Sequence, residues 1–258
     1  MYNKAYNIAY DNTEHRVLRM SADDNIETIE TSNLIGNLND IEQKFAPKEL
    51  YIIGNKALAS KSRSISIIGT RQPTSKGMEN ARIIAEFLVK NNVIIVSGLA
   101  KGIDTIAHES AIRNKGNTIA VIGTPLDTCY PKENSKLQDT IKNNHLLISQ
   151  FRIGSPILPS NFPARNRTMA LISRVSVIVE ASDKSGTMHQ GWEALRLGRR
   201  LFILEDLANN KNLSWPSKLI KYGAEVLSIK DLSVLLDSLP EELSETQEDV
   251  WGNQLVTF

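Results

Sequence analysis

Six short apolar runs, at residues 65–68, 93–96, 118–122, 146–148, 175–179 and 201–204, limit what this chain can fold into. They are rich in Ile and Val and are apolar at consecutive rather than alternate positions, so both faces of each strand need cover. Segments of helical period separate most of them. Over 78–89, Ile83, Ile84, Phe87 and Leu88 share one face, and 103–113, 137–142, 167–172 and 191–197 follow suit. Such alternation predicts an α/β fold, a doubly wound and mainly parallel sheet with helices on both faces.

The flanks carry weaker patterns. Residues 1–46 read as a small N-terminal extension, with alternating stretches at 6–10 and 16–20 forming a hairpin and a short helix over 33–44. A brief strand over 50–53 follows, and residues 47–230 form the main domain. A helix over 214–222, a strand over 226–228 and a helix over 232–236 lead into an acidic tail, so that 231–258 is a short helix plus tail. That tail reads as disordered or as a partner-docking segment.

Charge and cysteine content narrow the function classes. Residues 61–230 hold 24 basic and 13 acidic side chains, against 6 and 9 over 1–60 and 0 and 7 over 231–258. A basic middle between acidic ends fits a polyanion-binding core, and equally a charged surface without a target. No apolar run reaches membrane-spanning length, and the N-terminus lacks the apolar core of a secretory signal. Cys129 is the sole cysteine, which excludes an internal disulfide and points to the cytoplasm.

In a doubly wound sheet, ligands bind beyond the carboxyl ends of the strands, so the residues after each run are the ones to read. Gly69, Thr70 and Arg71 follow the first; Ser97, Gly98, Lys101 and Gly102 follow the second, in SGLAKGID; Gly123 and Thr124 follow the third. Phe162, Arg165, Asn166 and Arg167 follow the fourth, and Lys184, Ser185, Gly186 and Thr187 the fifth. Glycines let a backbone approach an anion, free amides at a helix start donate to it, and cations hold it. Phe162 offers an aromatic face for a base, or a core plug, with Pro163 starting a helix. Arg71 grips phosphate or pairs with Glu180; Ser185-Gly186-Thr187 cradles phosphate or caps a helix. Asp104 reads as a loop-ordering carboxylate and His108 as a packed imidazole, with no spacing that makes a metal site.

The segments IIGTRQPTSKG, VSGLAKGIDTIAH, TIAVIGTPLDTCYPKEN, LLISQF, NFPARNR and VEASDKSGT, in this order, resemble the DNA-processing protein A (DprA, also called Smf) family. The likeness extends more weakly to LIKYGA and covers about residues 47–226. It implies a Rossmann-like domain that binds single-stranded DNA without catalysis, metal or cofactor. It also implies a homodimer that helps to load the RecA recombinase in DNA processing, recombination and natural transformation, away from any membrane. By motif, the DNA-contacting positions become Arg71, Lys101, Phe162, Arg165 and Arg167. Departures stand beside this. The 28 residues after 230 are too few for the winged helix of many members, no Pro-Gly turn follows LFILED, Ser217 replaces an expected Asn, and His189-Gln190-Gly191-Trp192 is unusual. Two alternatives share the fold group. A nucleotide-binding sensor would use the same cavity, and a phosphoribohydrolase-like enzyme would need a carboxylate where this chain has Gln190, with Glu193 one turn on.

Overall fold

In the computed structural model, which describes residues 15–17, 25–60, 63–183 and 185–239, each of the six apolar runs is a strand. The chain opens with β1 (Arg16–Val17), β2 (Glu27–Glu30), α1 (Thr31–Ile35), α2 (Asp40–Phe45), β3 (Glu49–Gly54) and α3 (Ala57–Ser60). The central part runs β4 (Ser64–Gly69), α4 (Ser75–Lys90), β5 (Ile94–Ser97), α5 (Ile103–Arg113), β6 (Thr118–Ile122), β7 (Thr128–Cys129), α6 (Ser135–Asn144) and β8 (Leu146–Ser149). There follow α7 (Asn161–Ile172), β9 (Val175–Glu180), α8 (Thr187–Arg196), β10 (Arg200–Leu204), α9 (Glu205–Ala208), α10 (Pro216–Lys221), β11 (Glu225–Leu227) and α11 (Ser233–Leu236).

Nine strands form one sheet in the order β11-β10-β9-β4-β5-β6-β8-β3-β2. Neighbours from β11 to β8 are parallel, whereas β3 pairs antiparallel with β8, and β2 with β3. Along β4, Ile65 and Ile67 pack with Ile84, Leu88 and Ile103 of α4 and α5, while Ile68 joins Met169, Ile172 and Trp215 on the opposite face. That period of two, with apolar groups on both sides, is what a twice-covered strand requires. Small residues on β4 bond to both neighbours: the Ser64 hydroxyl donates to the Ile172 carbonyl at the end of α7 at 3.0 Å, and Ser66 to the Ser176 hydroxyl of β9 at 2.7 Å. No helix among the described residues is long and apolar enough to cross a membrane.

The chain winds outward from β4 through β5, β6 and β8, then returns to β9 on the other side of β4 and continues through β10 to β11. The carboxyl ends of β4 and β9 therefore flank the point where the winding reverses, where such sheets open a crevice.

The helix expected over 33–44 is two helices, because Gly36 ends α1 at φ +87°, a conformation open to glycine. The second, α2, is built on a capping box between Asn39 and Glu42. The free oxygen of Glu42 pairs with Arg199, whose guanidinium also donates to the carbonyls of Ala170 and Leu171 at 3.4 and 3.3 Å. Phe45 lies beneath Arg167 and Arg196, 5.2 and 5.4 Å from the guanidinium carbons to the ring centre. These contacts fasten α2 to the back of α7 and α8. Of the expected hairpin, residues 6–10 and 18–20 lie outside the described residues, and Arg16–Val17 pairs antiparallel with Thr128–Cys129. Lys184 and the acidic tail from 240 onward also lie outside them.

Candidate functional site

A cavity of about 650 Å³ opens at the reversal point. Gly69, Thr70, Arg71 and Gln72 after β4 form one side, Phe162, Arg165 and Asn166 of α7 another, and Ser185 to Gln190 at the start of α8 a third. Of the residues singled out in the sequence, Gly69, Thr70, Arg71, Phe162, Arg165, Asn166, Ser185, Gly186 and Thr187 thus meet around one space.

Arg71 is exposed at the cavity mouth. Its guanidinium carbon stands 5.7 Å from the Tyr130 ring centre and 5.8 Å from that of Phe162, and Nη1 donates to the Tyr130 hydroxyl at 3.4 Å. The two rings lie 5.2 Å apart at 53°. Glu180, the alternative partner for Arg71, is engaged elsewhere: it accepts from the Thr74 amide at 3.1 Å and from the Thr74 hydroxyl at 2.9 Å. Arg71 forms no ion pair among the described residues. A planar cation held against two aromatic faces, without a carboxylate, is suited to an anion bound in two-pronged fashion.

Beneath the mouth, Arg165 is buried. Its Nη1 donates to the carbonyls of Gly98 and Val121, the latter at 2.9 Å, and its Nε donates to Asn166 Oδ1 at 3.0 Å. Asp104, also buried, accepts from the amides of Gly98 at 3.2 Å and Ala100 at 3.4 Å. Burial pushes the Asp104 carboxyl up, opposed by the nearby Arg165 charge, and pushes Arg165 down to about 10, opposed by Asp104. Arg165 remains a cation at neutral pH, and its charge beside Asp104 works against the cost of burying the carboxylate. A methyl group on Gly98 would overlap the Arg165 guanidinium, so the glycine admits the arginine.

These contacts revise the reading of SGLAKGID as a row of free amides. The Gly98 and Ala100 amides serve Asp104, and Ile103 N donates to the Thr70 carbonyl at 3.2 Å. The positive end of α5 is answered from within by Asp104. Asp104 orders the loop as expected, and Gly102 (φ +80°) is the α5 N-cap, packed so closely on Thr70 and Arg71 that a side chain would strike their backbone. Ser97 and Thr124 are buried, their hydroxyls donating to the carbonyls of Ile67 and Thr128, each at 2.7 Å. Gly123 lies under the Phe162 ring, 2.8 Å from where a Cβ would sit. Lys101 does not line the cavity; it is half-exposed, its Nζ 3.6 Å from Glu133.

NFPARNR does not precede a helix but forms the first turns of α7. Residues two apart on a helix do not share a face. Arg165 accordingly faces the cavity floor, whereas Arg167 pairs with Glu193 at 2.8 Å and stacks on Phe45. At the start of α8, Ser185 Oγ accepts from the Thr187 amide at 3.1 Å and lies 2.6 Å from the Thr187 hydroxyl. Tyr130 escaped notice in the sequence; its signal is an aromatic beside a proline in the loop after the third apolar run.

His108 and Cys129 are committed to packing, His108 as expected. His108 is fully buried, Nδ1 lies 2.7 Å from the Thr118 hydroxyl, and burial lowers its pKa to about 3. The buried Cys129 thiol donates to the Pro131 carbonyl at 3.2 Å and is pushed up to about 12, chiefly by burial, which removes it as a nucleophile at neutral pH. No group of three or more His, Cys, Asp or Glu among the described residues could hold a metal ion.

Comparison with known proteins places these features in context. A family model described as DNA recombination-mediator protein A matches residues 27–237. The DNA processing protein DprA of Streptococcus pneumoniae is 40% identical over 190 residues, covering 71% of this chain and 67% of that one. Protein Smf of Synechocystis is 39% identical over 198 residues, covering 75% of this chain and 50% of that one. Among solved structures, DNA processing protein A from Helicobacter pylori, described for its single-stranded DNA binding mode, superposes with a TM-score of 0.71 at 30% identity. That match covers 86% of this chain and all of the other. The present chain spans half to two thirds of the length of the two relatives compared by sequence.

Proposed function

Since the chain belongs to the DNA recombination-mediator protein A family, we propose that it binds single-stranded DNA at the carboxyl edge of its sheet. The observation that carries this reading is Arg71, exposed and without a carboxylate beside Phe162 and Tyr130 at a cavity mouth. Arginine takes a backbone phosphate while an aromatic face takes a base, the combination single-strand binders use. The likeness to a Helicobacter pylori protein described for its single-stranded DNA binding mode supports the same reading. Thr70, Ser185 and Thr187 supply hydroxyls at the walls, and Arg165 with Asp104 holds the floor in shape. Lys101, beside Glu133 outside the cavity, and Arg167, held by Glu193 over Phe45 on the back of α7, take no part in this reading.

The protein acts by binding, without catalysis. Gln190 stands where a phosphoribohydrolase needs a carboxylate, and Glu193 is held between Arg167 and Arg196 at 2.8 and 3.0 Å. Dimerisation, RecA loading and action in the cytoplasm during DNA uptake and recombination complete the proposal and rest on family membership.

The test is fluorescence anisotropy with a short oligo-dT and a duplex of equal length over a range of salt. Tighter binding of the single strand, falling linearly in log–log form with salt as counterions are released, is expected. No binding, or equal binding of duplex, would overturn the reading; release of free base from nucleoside monophosphates would favour the enzyme instead.

A further inference from the structure

At the start of α8, one residue sits at the cavity without a settled role. Gln190 lines the cavity while only 3% exposed. Its side-chain amide nitrogen is buried and makes no hydrogen bond. The next residue, Gly191, packs against Leu219, Ile178 and Leu201, with 3.0–3.2 Å left for a Cβ, so α8 lies close against β9, β10 and α10 at this turn. An unpaired buried amide lowers stability. A ligand in the cavity that paired with the amide would remove that cost.

We propose that Gln190 reads the edge of a nucleobase turned out of the bound strand into this cavity. The inference rests on the single-strand reading above and adds to it a source of base recognition. A glutamine amide carries a donor and an acceptor side by side, and its last torsion is soft and roughly two-fold, so either end can be turned toward a ligand. Nucleobases present donors and acceptors at matching separation on their edges, whereas the phosphates and sugars that Arg71 and the wall hydroxyls would hold carry no base identity. The cavity, about 650 Å³, is of small-ligand size, and its wall includes an edge of the largely buried Phe162.

The experiment measures binding of wild type, Gln190→Met and Gln190→Ala to oligo-dT and to an abasic strand of the same length, which keeps the phosphates and lacks the bases. Gln190→Met is expected to weaken oligo-dT binding about tenfold while leaving abasic-strand binding unchanged, with Gln190→Ala agreeing. In the absence of DNA, Gln190→Met is expected to melt no lower than wild type, because it removes an unpaired amide and keeps the volume. Equal losses on both strands, no loss on either, or a lower melting temperature for Gln190→Met would overturn the inference. A wild type that binds neither strand would instead sink the single-strand reading itself.

Discussion

Arg71 and Arg165 line the same cavity, yet their surroundings demand opposite behaviour on removal. Arg165→Ala takes the counter-charge from buried Asp104 and leaves the Gly98 and Val121 carbonyls without their donor. Breaking a buried charge pair from one side costs about 3–5 kcal/mol. At about 2–4 °C per kcal/mol for a domain of this size, the melting temperature should fall by roughly 6–20 °C. Arg71→Ala touches an exposed side chain and should leave stability within about 0.5 kcal/mol. Its effect belongs to binding: affinity for oligo-dT should drop about tenfold, and the salt slope should shrink by about 0.7, one phosphate contact on a single strand. Scanning calorimetry and salt-dependent anisotropy on both variants separate the roles. The pair Asp104→Asn with Arg165→Met, which removes both charges, should recover part of the stability lost in Arg165→Ala. An Arg165→Ala protein that melts like wild type but binds DNA with a reduced salt slope would refute the argument and make Arg165 a phosphate ligand.

Two further outcomes follow from the geometry. Gly102→Ala forces a side chain into a left-handed conformation against the backbone of Thr70 and Arg71, and should cost about 1–3 kcal/mol while weakening oligo-dT binding; wild-type melting and affinity would show the loop to be slack. His108 titrates at about 3 when folded against 6.5 when free, so the unfolded chain binds more protons between those values and stability is lost as pH falls below 6.5. The full effect is on the order of 5 kcal/mol. Asp104, raised by burial, acts with the opposite sign above 3.8, so the check is a comparison of denaturant midpoints at pH 7 and pH 4 for wild type and His108→Gln. Equal pH dependence in the two proteins would exclude His108 as the cause.

The sheet was legible because strands buried on both sides must be apolar throughout, and β4, β6, β8, β9 and β10 fall within a residue or so of the expected runs. Strand direction was not: β3 is as apolar as its neighbours, and only its pairing with β8 reveals that it runs backward. The helix expected from 167 starts earlier, at Asn161, and of the two readings of Phe162-Pro163 the core plug and helix-starting proline hold: a first helical turn suits proline, whose missing amide hydrogen has no partner to lose there. The earlier start decides the site. With NFPARNR taken as loop, Arg165 and Arg167 look equivalent; on a helix they part, one into the floor and the other onto Phe45. Arg71 needed no such register, since it directly follows a strand whose end opens on the crevice. Tyr130 depends on a loop folded back across the sheet edge, a non-local event that local pattern does not report.

The attachment of α2 has a mechanical consequence. The helices that form two sides of the cavity, α7 and α8, are gripped from behind by Glu42 on Arg199 and by Phe45 under Arg167 and Arg196. Residues 40–45 thus act as a backstop to the cavity although none of them reaches it. A chain begun at residue 47 would keep every cavity-lining side chain and lose the brace that holds two of its walls at their present separation.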